Sequence, residues 1–160
     1  MTLEEENPVT VSKIRENLER LGGYNSILIP EFTWGDLRID AVVVDLSSRW
    51  IRGFEIKVSR SDYQRDTKWT LYSQFCSSLS IVCPWGLINK NEVDEPYGLL
   101  WVSSSNLVHW EKRPKNFQKR NGMAWLWTYI KVIEKELPRI HFAERQVRSL
   151  LDWELKKAKE

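Results

Sequence analysis

The chain has 160 residues, of which 42% are apolar and 29% charged, with a formal charge of +2. That length suits one domain with a sizeable core, and the balance excludes a disordered chain. So small a net charge neither requires nor excludes nucleic acid, and no apolar run approaches the roughly 20 residues of a membrane-spanning helix.

Residues 1–8 read as a loose terminus. Val11, Ile14, Leu18 and Leu21 then fall on one helical face, and Gly22-Gly23 stop the helix. "YNSILIPEF" reads as a strand, with Pro30 marking an edge or a bulge. "LRIDAVVVDL" and "WIRGFEIKVS" read as longer strands joined by a hairpin turn at "SSR". A helix is predicted from about Ser61 to Leu79, capped by Ser59 or Ser61, with Trp69, Tyr72, Cys76 and Leu79 as its apolar face. "SIVCPW" and "GLLWVSS" are short strands around a turn-rich loop, 86–96, and "NLVHWEKR" can pair with the second. Two helices are expected at the end, "GMAWLWTYIKVIEKEL" and, beyond Pro138, "HFAERQVRSLLDWELKKAKE". The order implies an α/β sheet sandwich.

Cys76 and Cys83 suggest neither a disulfide framework nor a Cys-rich zinc site. The acidic opening "MTLEEENP" does not read as a signal peptide, so a cytoplasmic protein is expected. Most of the nine tryptophans are expected in the core.

Strand alternation sends the Glu55 and Lys57 side chains to one sheet face, and the hairpin brings Asp40 alongside them. Taken singly, each residue is more commonly a solvated strand edge or a salt bridge. Together, two carboxylates and an ammonium at one end of a sheet offer hard oxygen ligands for Mg²⁺ or Mn²⁺. The ammonium can also stabilise charge on a phosphorane-like transition state. That combination suits phosphodiester hydrolysis.

Asp40, followed fifteen residues later by Glu55-Ile56-Lys57, resembles the Asp…Glu-x-Lys signature of the PD-(D/E)XK nuclease superfamily. The longer run "EIKVSRSDYQRDTKWTLYSQFC" resembles the MmcB-like DNA-repair proteins of that superfamily, through Ser59, Asp62, Tyr63, Asp66, Lys68, Trp69 and Tyr72. Arg38 and Asp40 match an Arg-x-Asp before the hairpin; Ile39 stands at the proline of the superfamily's name. The resemblance spans about residues 10–113. It implies a restriction-endonuclease-like αβββαβ core, a mixed central sheet flanked by helices, with a C-terminal helical extension over about 114–160 of one domain. It also implies a metal-dependent DNA nuclease of repair or processing. Asp40 and Glu55 would bind Mg²⁺ or Mn²⁺, and Lys57 would orient the attacking water.

Asp62 and Asp66 suit a first helical turn and can also support the site. Lys68, Arg60 and Tyr72 are the candidate nucleic-acid contacts, with a surface lysine as the plain alternative for Lys68. Glu16 and Glu19 both lie off the apolar face of the first helix, so it offers no evident metal ligand. Lys112, Arg113, Lys115, Lys119 and Arg120 form either a solvated face or a phosphate-tracking surface. DNA is the expected partner, no membrane is, and a homodimer is allowed. The rival function is a non-cleaving nucleic-acid-binding or scaffold module; a weaker one is an RNA-directed nuclease.

Overall fold

The computed structural model describes residues 8–66, 68–117 and 122–157. Helix α1 spans Val11–Leu21; the Thr10 hydroxyl accepts the Lys13 amide at 3.2 Å and Gly22 closes it. Six strands follow as one sheet in chain order: β1 (Ser26–Trp34), β2 (Leu37–Asp45), β3 (Trp50–Ile56), β4 (Ser78–Pro84), β5 (Gly98–Val102) and β6 (Val108–Lys112). The first three form an antiparallel meander, β3, β4 and β5 run parallel, and β6 returns antiparallel. Helix α2 (Arg60–Arg65) and a 3-10 helix (Lys68–Gln74) make the crossover from β3 to β4. This is an α/β fold with a mixed sheet, in the αβββαβ order expected.

The turn between β2 and β3 is set by Asp45, whose Oδ1 accepts the Ser47 and Ser48 amides at 2.9 and 3.0 Å. Alternation then sorts the core onto two faces. Ile14 and Leu18 of α1 pack with Leu28, Ala41, Val43, Phe54, Ile56, Val82 and Leu100 on one of them. On the other, the crossover closes over β3. A methyl group added at Gly53 would meet Cys76 Sγ at 2.6 Å, Ile39 Cδ1 at 2.8 Å and Leu79 Cδ1 at 3.0 Å. Further along that face, Ile81, Cys83 and Leu99 pack under Ile88 and Val93 of the loop after β4.

Three expectations are corrected here. The predicted helix from Ser61 to Leu79 is only six residues of α-helix before the chain turns extended at Asp66, and Leu79 belongs to β4. Asp66 leaves the helix because its carboxylate bonds to the buried ammonium of Lys57, whose burial without a partner would cost more than a few helical hydrogen bonds. The two terminal helices are one, α3 (Gly122–Lys157), with Pro138 inside it. Strong helix formers on both sides of Pro138 hold the turns that its missing N–H weakens. None of the described tryptophans is fully buried. Trp101 shows why: its indole N–H must reach the Ile88 carbonyl, at 2.9 Å, so the ring stays at the margin.

The chain separates into two compact units, Met1–Trp125 and Leu126–Glu160. The whole sheet lies in the first, and the expected core boundary near residue 113 falls inside it. No helix among the described residues is long and apolar enough to cross a membrane.

Candidate active site

Sheet register brings the signature residues together. Ala41 lies opposite Phe54 and Val42 opposite Gly53, so one further step brings Asp40 level with Glu55, close enough for its charge to raise the Glu55 carboxyl. The backbone ladder between β2 and β3 ends at that step. Asp40 Oδ2 instead accepts the Ile56 amide at 2.8 Å, a side chain standing in for a backbone acceptor. On its other flank Asp40 lies across from Glu31, which sits between the pairs Pro30–Ala41 and Phe32–Ile39. Glu31 has a φ of 52°, a left-handed kink beside the Pro30 that marks the edge strand.

Glu55 is 5% exposed and Lys57 3%. The Lys57 ammonium donates to Asp66 Oδ2 at 2.6 Å and to Glu55 Oε1 at 3.4 Å. Glu55 Oε2 is buried with no hydrogen-bond partner. Burial, reinforced by the Asp40 charge and by hydrogen bonding and charge from Asp66 and opposed by Lys57, pushes the Glu55 carboxyl up to about 8. Burial also raises Asp40, against the Ile56 amide and the charges of Lys57 and Arg15. For Lys57, burial pulls downward, but its bond to Asp66 and the charge of Glu55 outweigh it, so the ammonium is held above its ordinary value.

These residues fit a divalent cation. Two neighbouring carboxylates offer hard oxygen donors, one of them a buried oxygen without a hydrogen-bond partner, and a +2 ion would neutralise the acidic excess over Lys57. Mg²⁺ keeps several waters, so two protein carboxylates suffice to hold it. Among the described residues, however, no set of three or more His, Cys, Asp and Glu side chains converges into a metal cage.

The outer candidates divide. Tyr72 is 5% exposed and its hydroxyl donates to the Arg38 carbonyl at 2.5 Å. It lines the carboxylate cluster from within the core, where burial and the charges of Glu55, Asp66 and Asp40 raise its phenol. Its ring is therefore not on a nucleic-acid surface. Arg60 is exposed at the start of α2, with Nη2 at 2.6 Å from Glu92 Oε1 and Nη1 at 3.1 Å from the Leu87 carbonyl. Lys68 opens the 3-10 helix, and its side chain lies outside the described residues. In the basic cluster, Lys112 and Lys115 flank Glu95, and Arg113 lies 5.5 Å over the Trp110 ring, which favours a solvated face there. Lys119 and Arg120 lie outside the described residues.

Sequence reasoning underrated two residues. Asp66, read as a first-turn carboxylate, is the nearest partner of Lys57. Glu16 and Glu19 are exposed, and it is Arg15 through which α1 acts on Asp40. Arg15 follows directly on the buried Ile14, the one sequence signal that could have pointed it toward the sheet.

No protein-family model matches the chain, and no curated protein matches it. Among solved structures, a protein of unknown function from Silicibacter pomeroyi superposes with a TM-score of 0.66 at 19% identity. The match covers 90% of this chain and 94% of that one. At that identity the likeness speaks for the fold alone.

Proposed function

We propose that this chain is a metal-dependent DNA nuclease of the PD-(D/E)XK type, of the MmcB-like branch, with a role in DNA repair or processing. The observation that carries the reading is the buried, unpartnered Glu55 Oε2, across from Asp40 and beside Lys57 at the carboxyl end of β3. Asp40 and Glu55 are the ligands for Mg²⁺ or Mn²⁺. Bound there, the ion supplies Lewis-acid stabilisation of the phosphoryl oxygens. Lys57 stays charged and acts as a donor. An ammonium has three N–H groups, and two are committed to Asp66 and Glu55, which leaves the third to orient an attacking water. Asp66 fixes the direction of that third donor by holding the amine. A cytoplasmic location fits this role, and so does a homodimer.

One observation favours the rival, a non-cleaving nucleic-acid-binding or scaffold module: the absence among the described residues of a third converging ligand. Cleavage of labelled single-stranded, duplex, flap and junction DNA with Mg²⁺ or Mn²⁺ decides between them. Wild-type cleavage that is lost in Asp40→Asn, Glu55→Gln and Lys57→Ala, each folded, supports the nuclease. Activity persisting in Glu55→Gln and Lys57→Ala would trace it elsewhere, and binding without cleavage by the wild type would select the rival.

A further inference from the structure

Among the described residues, three buried side-chain atoms have no hydrogen-bond partner: Arg15 Nε, Ser48 Oγ and Glu55 Oε2. Ser48 lies in the β2–β3 turn, at the opposite end of those strands from Asp40 and Glu55. The other two flank Asp40, an acceptor toward β3 and a donor toward β1. Glu31 is level with Asp40 on β1, and Glu55 is level with it on β3. With strands about 4.8 Å apart, the Glu31 and Glu55 backbones stand about 10 Å apart with Asp40 between them. Helix α1 brings Arg15 to the Glu31 side, with Nη2 at 3.9 Å from Glu31 Oε1. The Arg15 charge reaches Asp40, where it acts with that of Lys57 against the burial of the carboxyl.

Arg15 is uncommitted. A guanidinium carries five N–H donors, and 3.9 Å is too long for a hydrogen bond, so none of the five is spent among the described residues. Arg38 competes for the same Glu31 Oε1 and holds it at 2.8 Å. One carboxylate thus serves two guanidiniums, and the one beside Asp40 has the weaker claim. A partly buried cation with an unmet buried donor costs the fold stability and gains it no bond.

The two unmet atoms call for ligands of opposite charge. Glu55 Oε2 calls for a cation, whereas the Arg15 N–H groups call for an oxyanion, which a planar guanidinium meets with two parallel hydrogen bonds. Lys57 is already engaged by Asp66 and Glu55, so Arg15 is the cation left to meet an anion beside Asp40. A phosphodiester bound to a divalent ion carries both charges. We propose that Arg15 grips a phosphate of the DNA strand at the edge of the metal site, through paired N–H donors. This deepens the nuclease reading by naming a substrate-binding residue, and it rests on that reading for the identity of the anion.

Binding of a short labelled DNA duplex and of its single strand, followed by fluorescence anisotropy in chelator over a salt series, tests the contact apart from cleavage. Arg15→Ala should weaken binding roughly 10-fold and lower the salt slope by about one phosphate contact. Arg15→Lys keeps the charge without the paired geometry, so it should restore the slope while affinity stays below wild type. Arg20→Ala removes the same charge from the exposed last turn of α1 and should change neither. Unchanged affinity and slope in Arg15→Ala overturn the assignment. An equal loss in Arg20→Ala also overturns it, by making Arg15 one positive charge among several. Circular dichroism checks folding; if Arg15→Ala does not fold, Arg15→Lys decides, and wild-type affinity in that variant overturns the paired grip. A wild type that binds neither DNA overturns it outright. Cleavage that needs Glu55, together with wild-type binding by Arg15→Ala, sinks the phosphate contact and leaves the nuclease standing. Arg15-dependent binding by a protein that cuts none of the DNAs does the reverse.

Discussion

Glu55→Gln should change how stability depends on pH, in a direction that the buried site fixes. In the folded protein the Glu55 carboxyl titrates at about 8 against an ordinary 4.5. Below pH 4.5 it is protonated folded and unfolded, and adds no slope. Between the two values the folded chain binds the extra proton, so stability falls as pH rises, by roughly 1.4 kcal/mol per unit. Above pH 8 the loss is complete. Over the interval it amounts to roughly 3–5 kcal/mol, a large share of the 5–15 kcal/mol typical of a domain. Glutamine fills the same space without titrating and can still accept from Lys57. Urea unfolding of wild type and variant from pH 5 to pH 9 isolates Glu55 together with its coupled neighbours Asp40, Lys57 and Asp66, because every group that does not interact with it cancels in the difference. The wild type should lose stability relative to Glu55→Gln with each step toward pH 8 and then level off. Parallel curves across the range would refute a buried, proton-holding Glu55.

The same proton couples to the cation. Mg²⁺ binding at pH 7 should release close to one proton and tighten as pH rises toward 8, read by titration calorimetry in buffers of different ionisation enthalpy; pH-independent binding would place the ion elsewhere. Asp66→Asn weakens the shortest contact of a buried ammonium and should cost about 1–3 kcal/mol in urea melts, whereas an unchanged midpoint would make that ion pair incidental. Gly53→Ala forces a methyl group within 3.0 Å of Cys76, Ile39 and Leu79 and should cost about 1–3 kcal/mol; an Ala variant as stable as wild type would show that the crossover packs more loosely there.

The strands were legible because one-face alternation and turn chemistry are local signals. Asp45 with two following serines, and Pro30 at an edge, need nothing from the rest of the chain. Convergence of Glu55 and Lys57 was legible from a period of two, and the hairpin brings Asp40 beside them. What failed was everything decided over long separations. Trp69, Tyr72, Cys76 and Leu79 keep helical spacing, but the pull of Lys57 on Asp66 ends the helix before them, and β4 claims Leu79. Arg60 looked available for phosphate because Glu92, its partner, is far along the chain. Tyr72, expected at a nucleic-acid contact, is instead buried beside the carboxylates with its hydroxyl spent on the Arg38 carbonyl. The tryptophans misled because hydrophobic bulk argues for the core, whereas an indole N–H that needs an acceptor argues for its rim.

The charged corner is not explained by folding. Val42, Val44 and Ile81 are fully buried on the same side of the sheet, so apolar residues pack there readily. Replacing buried ion pairs by apolar residues of similar volume is often neutral or stabilising, while an unsatisfied buried oxygen costs about 1–3 kcal/mol. A leucine at position 55 should therefore be at least as stable as Glu55, whose buried Oε2 has no hydrogen-bond partner and whose carboxyl burial holds above its ordinary range. The proposed cation would reverse that balance by meeting the unpartnered oxygen and offsetting the Asp40 charge. Asp40 differs, because its bond to the Ile56 amide closes the gap where β2 and β3 part. Loss of Asp40 mixes a structural defect with any chemical one. Glu55, more than Asp40, is therefore the position at which the proposed chemistry can be tested apart from a structural defect.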